Sequence, residues 1–281
     1  MNTANIKWLH VEPSSKCNAW CPGCPRNNNG YGLAPGLVEE DLSPDRFKEI
    51  LSEFTELHAI QLCGNFGDPL ASKHVDKIID MSLQHATKLQ IHTNGSLKSK
   101  TWWRELGSKL NGVNHDVWFG IDGLKGVHEI YRQGTSFNKI IDNASEFISA
   151  GGYATWQFIP YAHNEHQVKD AIRLSQKLGF KKFKLAKVYR KKTDAFNYKT
   201  GEYYELLPTK ELWDVITKVD ELKPVEFGDC MHLSMPSIYV NADGTLSRCC
   251  YLSKEKFVTV EELMNKETDL TDAACMRSCG G

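Results

Sequence analysis

The chain has 281 residues, 41% of them hydrophobic and 25% charged, with a formal net charge of -1. Such values fit a globular protein with a sizeable core, and the near-neutral balance argues against nucleic acid or an anionic membrane held by charge. The first residues, MNTANIKWLHVEP, lack the apolar run of a secretory signal, and no later stretch is apolar for long enough to span a bilayer. A cytoplasmic location without a membrane partner is therefore expected.

Taken in chain order, apolar, β-branched or aromatic runs at 6–11, 59–63, 89–92, 117–121, 155–160 and 183–188 predict six strands. Amphipathic stretches lie between them. Ser43 as N-cap with Pro44 at the first helical position opens one, and Phe47, Ile50, Leu51 and Phe54 form its apolar face. Others cover 74–85, 101–110, 138–150 and 167–178, the last two closed by Gly151-Gly152 and Gly179. Strands alternating with helices predict a parallel sheet with helical crossovers. Six units are too few for a complete eight-fold barrel, so the expected fold is α/β, a partial (β/α)6 TIM-like barrel. Beyond residue 207 the pattern changes to a helix at 209–222, a hairpin at 237–240 and 245–249 turning on Asp243-Gly244, and a short helix opened by the Thr259/Glu262 capping box. The division expected is 1–206 for the barrel and 207–281 for a small extension.

Nine cysteines in a reducing compartment point away from disulfides. Eight fall in two groups: Cys17, Cys21 and Cys24, then Cys230, Cys249, Cys250, Cys275 and Cys279. The first group places three thiolates within eight residues on a loop after the first strand. Thiolates suit zinc and iron–sulfur centres alike, and three of them leave one metal position open, where chemistry takes place. A zinc site completed by a distant residue such as His10 is the alternative.

The Cys17-x3-Cys21-x2-Cys24 spacing resembles the signature of the radical S-adenosylmethionine (SAM) superfamily. Many members carry an aromatic residue before the third cysteine, where this chain has Gly23. The resemblance implies that the three cysteines bind a [4Fe–4S] cluster whose fourth iron takes the amino and carboxylate groups of SAM. It continues at successive strand ends, the place where parallel barrels build their sites. Gly64-Asn65-Phe66-Gly67-Asp68-Pro69 is similar to the family's GGE-type motif, which implies that Gly67 and Asp68 receive the SAM amino group. His92-Thr93-Asn94-Gly95 is similar to the ribose-facing TNG segment. Gly120-Ile121-Asp122-Gly123 resembles the SxDG element, with Gly in place of Ser. Asn164-Glu165-His166 and Tyr131-Arg132 also resemble family patterns. Cofactor-binding residues expected from the resemblance are Gly67, Asp68, Asn94, Asp122 and Arg132, with Arg132 a cation suited to the SAM carboxylate. Singly, such Asn-Gly and Asp-Gly pairs read as turns. His92 reads as a structural barrel residue rather than a proton donor, Trp102-Trp103 as helix packing, and no acid or base is assigned.

The C-terminal cysteines resemble the twitch, or shortened SPASM, extension, which implies a second, auxiliary [4Fe–4S] cluster on Cys230, Cys249, Cys275 and Cys279. Cys249 and Cys250 are neighbours on a strand and face opposite ways. A zinc knuckle is the alternative for these four thiolates. The family chemistry implied is reductive cleavage of SAM to a 5′-deoxyadenosyl radical that abstracts hydrogen from a substrate, with flavodoxin or ferredoxin as reductant. The expected substrate is a peptide, as for a maturase; a small-molecule dehydrogenase is the alternative, and a non-enzymatic zinc module is the alternative of another class. The basic run at 181–192 reads as a solvated surface, or more weakly as a contact for an anionic substrate through Arg190, Lys191 and Lys192.

Overall fold

The computed structural model describes residues 6–186, 194–197, 200–205, 237–249 and 255–266. In chain order it begins with β1 (Trp8–Val11), α1 (Pro44–Ser52), β2 (Leu57–Leu62), α2 (Val75–His85) and β3 (Ala86–Thr93). Next come α3 (Lys100–Lys109), β4 (Asp116–Gly120), α4 (His128–Tyr131), α5 (Phe137–Ser149), β5 (Ala154–Phe158), α6 (Val168–Leu178) and β6 (Lys182–Leu185). Two three-residue strands follow, β7 (Asp194–Phe196) and β8 (Tyr203–Glu205), then β9 (Ser237–Val240), β10 (Leu246–Ser247) and α7 (Val260–Asn265).

The six predicted strands and five predicted inter-strand helices are all present, and local chemistry explains their ends. The Ser43 hydroxyl accepts the Arg46 N–H at 3.1 Å, which satisfies one of the donors left over at the start of α1. Phe47, Ile50 and Leu51 are fully buried from that helix, and each such side chain contributes about 1.5–3 kcal/mol. Gly179 ends α6 at φ 86°, a left-handed conformation that glycine adopts without a Cβ penalty. Thr259 and Glu262 form the expected capping box on α7. The short α4 and the β7/β8 hairpin were not foreseen, because three or four residues are too few to display a period.

Contacts divide the chain into two units. One holds residues 1–16, 39–91 and 224–281, with strand order β10-β9-β1-β2-β3. β9, β1, β2 and β3 run parallel, and β10 returns antiparallel to β9. The register Trp8↔Ser237 to Val11↔Val240 makes the C-terminal hairpin a direct neighbour of β1. The other unit holds residues 17–38 and 92–223, with β4, β5 and β6 parallel and β7 antiparallel to β8. Its core is aromatic. Trp103, Phe119, Trp156 and Phe147 are fully buried, and ring centroids lie 5.0 Å apart for Trp103–Phe119 and 5.2 Å for Trp156–Phe180. Trp103 is thus a packing residue, as read. The expected boundary at 206/207 and the helix at 209–222 lie outside the described residues. Among the described residues no helix is long and apolar enough to cross a membrane.

Candidate metal centre and cofactor-binding loops

The loop after β1 gathers its three cysteines in one place. Cys21 is buried in a cluster with Ala19, Tyr131 and Tyr161, and Cys17, Cys24 and Ile159 pack against it. The Ala19 N–H donates to Cys17 Sγ at 3.3 Å, and Asn94 Nδ2 donates to the same sulfur at 3.7 Å. Two donors on one sulfur fix where it lies in the loop. The loop is gripped from outside: Asn27 Nδ2 donates to the carbonyls of Ala19 and Cys21, and the Gln133 carbonyl accepts the Trp20 N–H at 2.7 Å. Asn27 Oδ1 and Gln133 Oε1 are buried acceptors with no hydrogen-bond partner. Native interiors seldom tolerate such atoms unless a water or ligand meets them.

Three thiolates on one loop are the donor type that a [4Fe–4S] cluster takes. Among the described residues no three His, Cys, Asp or Glu side chains are grouped to hold a single metal ion. A cubane takes one thiolate at each of three iron corners rather than three thiolates on one ion.

Asn94, at the end of β3, is tied into a small amide network. Its Nδ2 donates to Asn18 Oδ1 at 3.0 Å, its Oδ1 accepts the Ser96 N–H at 2.9 Å, and Asn18 Nδ2 donates to Ser96 Oγ at 2.8 Å. Asp122 and Arg132 meet as an ion pair, Nε to Oδ2 at 2.6 Å, with the carboxylate fully buried. The second carboxylate oxygen accepts the Ile159 N–H at 2.7 Å. Burial pushes the Asp122 carboxyl up, and the pull of Arg132 and Ile159 works against it. Arg132 is held charged, well above its ordinary pKa: burial opposes the charge, but Asp122, Cys21 and Tyr131 outweigh it.

Behind this pair stands His128, which is fully buried. Its Nδ1 accepts the Asp122 N–H at 3.1 Å, so its other nitrogen carries the proton and donates to Thr135 Oγ at 3.0 Å. Thr135 in turn donates to the Arg132 carbonyl at 2.6 Å. Burial first, and then the Arg132 charge, push the imidazole down to about 3, so it is neutral at any ordinary pH. Asn164 closes the arrangement, donating to the Asp122 and Ile159 carbonyls, each at 3.0 Å. Gly120 also finds its reason here. A Cβ on Gly120 would lie 2.8 Å from Arg132 Nη2, so the guanidinium occupies the space a side chain would take.

Gly67 and Asp68 lie in the other unit. The Asp68 N–H donates to the Lys16 carbonyl at 2.8 Å, and Asp68 Oδ1 caps a short 3-10 turn through the Leu70 N–H at 3.0 Å. A Cβ on Gly67 would sit 1.8 Å from the Ser14 carbonyl oxygen, so only glycine fits. Sequence reasoning missed Glu12, a buried carboxylate that accepts the N–H groups of Phe66 and Gly67. A charged residue at the end of an apolar strand, five positions before Cys17, was the signal available. It also missed His128, Asn27 and Gln133, which carry no local motif.

His92 stacks on Trp118 at 4.5 Å between centroids, and Lys184 Nζ lies 5.0 Å over the same indole. Of the C-terminal ligand set, Cys249 is described and buried. Cys230, Cys250, Cys275 and Cys279 lie outside the described residues, as do Arg190, Lys191 and Lys192.

No protein-family model matches the sequence. The fold is similar to that of SuiB from Streptococcus suis in its structure bound to S-adenosylmethionine: TM-score 0.62 and 15% identity, over 90% of this chain and 63% of that one. This chain therefore spans less than two thirds of SuiB. A second structure of SuiB, bound to the precursor peptide SuiA, matches with TM-score 0.58 and 15% identity, over 87% of this chain and 59% of that one. The protein anSMEcpe, with bound AdoMet and the Cp18Cys peptide, matches with TM-score 0.63 and 17% identity, over 96% of this chain and 81% of that one. At these identities the likeness is one of fold.

Proposed function

We propose that this chain is a radical SAM enzyme that cleaves S-adenosylmethionine reductively and abstracts hydrogen from a peptide substrate. The observation that carries the reading is the gathering of Cys17, Cys21 and Cys24 in one cluster, with two N–H donors aimed at the Cys17 sulfur. Support comes from neighbours of similar fold that bind SAM and, in two structures, peptides. Cys17, Cys21 and Cys24 would hold a [4Fe–4S] cluster, which would supply the one-electron chemistry for reductive cleavage of SAM.

The chain's own residues bind, orient and exclude water. Asn94 and Ala19 hold the Cys17 sulfur in place, and Tyr131 and Tyr161 close the apolar side of the thiol cluster. Arg132, kept charged by Asp122, offers a cation to the SAM carboxylate. The Gly64–Asp68 loop, with Gly67 and Asp68, receives the amino group, and Asn94 and Asp122 complete the cofactor-binding set. The six βα units form a partial barrel, and residues 207–281 form a twitch-like extension with an auxiliary [4Fe–4S] cluster on Cys230, Cys249, Cys275 and Cys279. A flavodoxin or ferredoxin supplies the electrons in the cytoplasm.

Anaerobic reconstitution tests the reading. Brown protein with about eight irons per chain is expected if two cubanes fill, together with 5′-deoxyadenosine after reduction in the presence of SAM. Joint replacement of Cys17, Cys21 and Cys24 by alanine should remove about four irons and all 5′-deoxyadenosine. Colourless protein loaded with zinc, or a triple variant that still cleaves SAM, overturns it.

A further inference from the structure

Glu12 is 2% exposed at the end of β1, yet its carboxylate is surrounded by donors. Oε1 accepts the Phe66 N–H at 2.7 Å and the Gly67 N–H at 3.0 Å, and Oε2 accepts the Tyr239 hydroxyl at 2.9 Å. Consecutive backbone N–H groups curled around one oxygen form an anion-binding nest, and here the anion is built into the chain. The loop cannot take this shape with a larger residue at Gly64, whose Cβ would lie 2.2 Å from the Gly67 carbonyl oxygen and 2.9 Å from Glu12 Oε1. On the other side the loop is pinned by the Lys16 carbonyl, which accepts the Asp68 N–H. Tyr239 is itself buried, in β9 of the C-terminal hairpin, with its ring edge-on to His10 at 4.7 Å between centroids. The Glu12 N–H donates to the Val240 carbonyl at 2.8 Å, so backbone and side chain both tie this residue to the hairpin.

We infer that Glu12 is a positioning residue that moulds the Gly64–Asp68 loop to accept the ammonium of the SAM methionyl group, and that Tyr239 locks Glu12 in that role from the C-terminal hairpin. This rests on the reading of that loop as the SAM amino-group site. The physical argument is geometric. With both carboxylate oxygens engaged, the Phe66 and Gly67 N–H groups are held on Glu12, and this fixes the path of the loop that carries Asp68. Loss of the Tyr239 hydroxyl frees Oε2 and lets the carboxylate rotate, and the nest around Oε1 loosens with it. The hairpin that bears Cys249 thereby acts on SAM affinity through one hydrogen bond.

The test compares two ligands on anaerobically reconstituted full-length protein by equilibrium dialysis. SAM carries the methionyl ammonium; 5′-methylthioadenosine keeps the adenosine and the sulfur but has no amino acid. Tyr239→Phe should weaken SAM binding a few-fold, because the hydroxyl acts on the ligand only through Glu12 and the loop. Its affinity for methylthioadenosine should equal that of wild type. Glu12→Gln, which keeps the shape and removes the charge, should show the same selective loss. Unchanged SAM affinity in both variants overturns the inference. Equal weakening of both ligands also overturns it, because a general loosening of the fold does not discriminate between them. Wild-type protein that binds neither ligand refutes the parent reading of the loop rather than the Glu12–Tyr239 linkage alone.

Discussion

Replacement of His128 by glutamine separates a titrating group from its hydrogen bonds, and its consequence is a change in pH dependence. In the folded chain the imidazole is neutral down to about pH 3. In the unfolded chain it takes a proton near pH 6.5. Between those values the unfolded state binds one more proton than the folded state, so stability falls as the pH is lowered through that window and is fully present above it. Each pH unit is worth about 1.4 kcal/mol, so at pH 5 the deficit relative to neutral pH is about 2 kcal/mol. Glu12 works in the opposite sense, since burial raises its pKa against the pull of its hydrogen bonds, so its contribution is present in acid and lost as the pH rises. The His128 contribution must therefore be read as a difference between two proteins. Urea unfolding of wild type and His128→Gln at pH 7.5, 6.5, 5.5 and 5.0 provides it. Glutamine can accept the Asp122 N–H and donate to Thr135, so the variant should fold with a constant offset. The gap between the two curves should then shift by about 2 kcal/mol from pH 7.5 to 5.0, in favour of the variant. Parallel curves would refute the assignment of a buried neutral imidazole.

Gly120→Ala should lower stability by about 1–3 kcal/mol, read from the thermal midpoint, because the new methyl group meets the Arg132 guanidinium, which its ion pair with Asp122 holds in place. A change below 0.5 kcal/mol would mean that the guanidinium has room to move. Asn94→Leu removes the side-chain donor to Cys17 Sγ and should make the midpoint potential of the reconstituted cluster more negative, as monitored by electron paramagnetic resonance during a redox titration. An unchanged potential would remove Asn94 from that role.

The alternation of strands and helices from β1 to β6 was legible because each element carries its own period, and the turns carry their own chemistry. Ser43-Pro44, Gly179 and the Thr259/Glu262 pair act on backbone groups within one helical turn, so four or five consecutive residues suffice to read them. The cysteine loop was legible for a similar reason, since three thiols within eight residues have few ways to avoid one another. Gly120 was noted as a departure from a familiar pattern, but its cause was not readable, because the guanidinium that fills the space comes from twelve residues further on.

What the sequence determined by itself is therefore local: the βα repeat, the caps, and a triad of thiols on the loop after the first strand. Tertiary structure decided which distant groups meet. Glu12 and Tyr239 are 227 positions apart, and nothing near either residue announces the other. They find each other because β9 pairs in register beside β1, and β-pairing brings together whatever residues the register aligns. The fate of a buried charge depends on those partners. Glu12, Asp122 and Arg132 are costly alone and tolerated together with their donors or counter-charge, and only the folded chain supplies them.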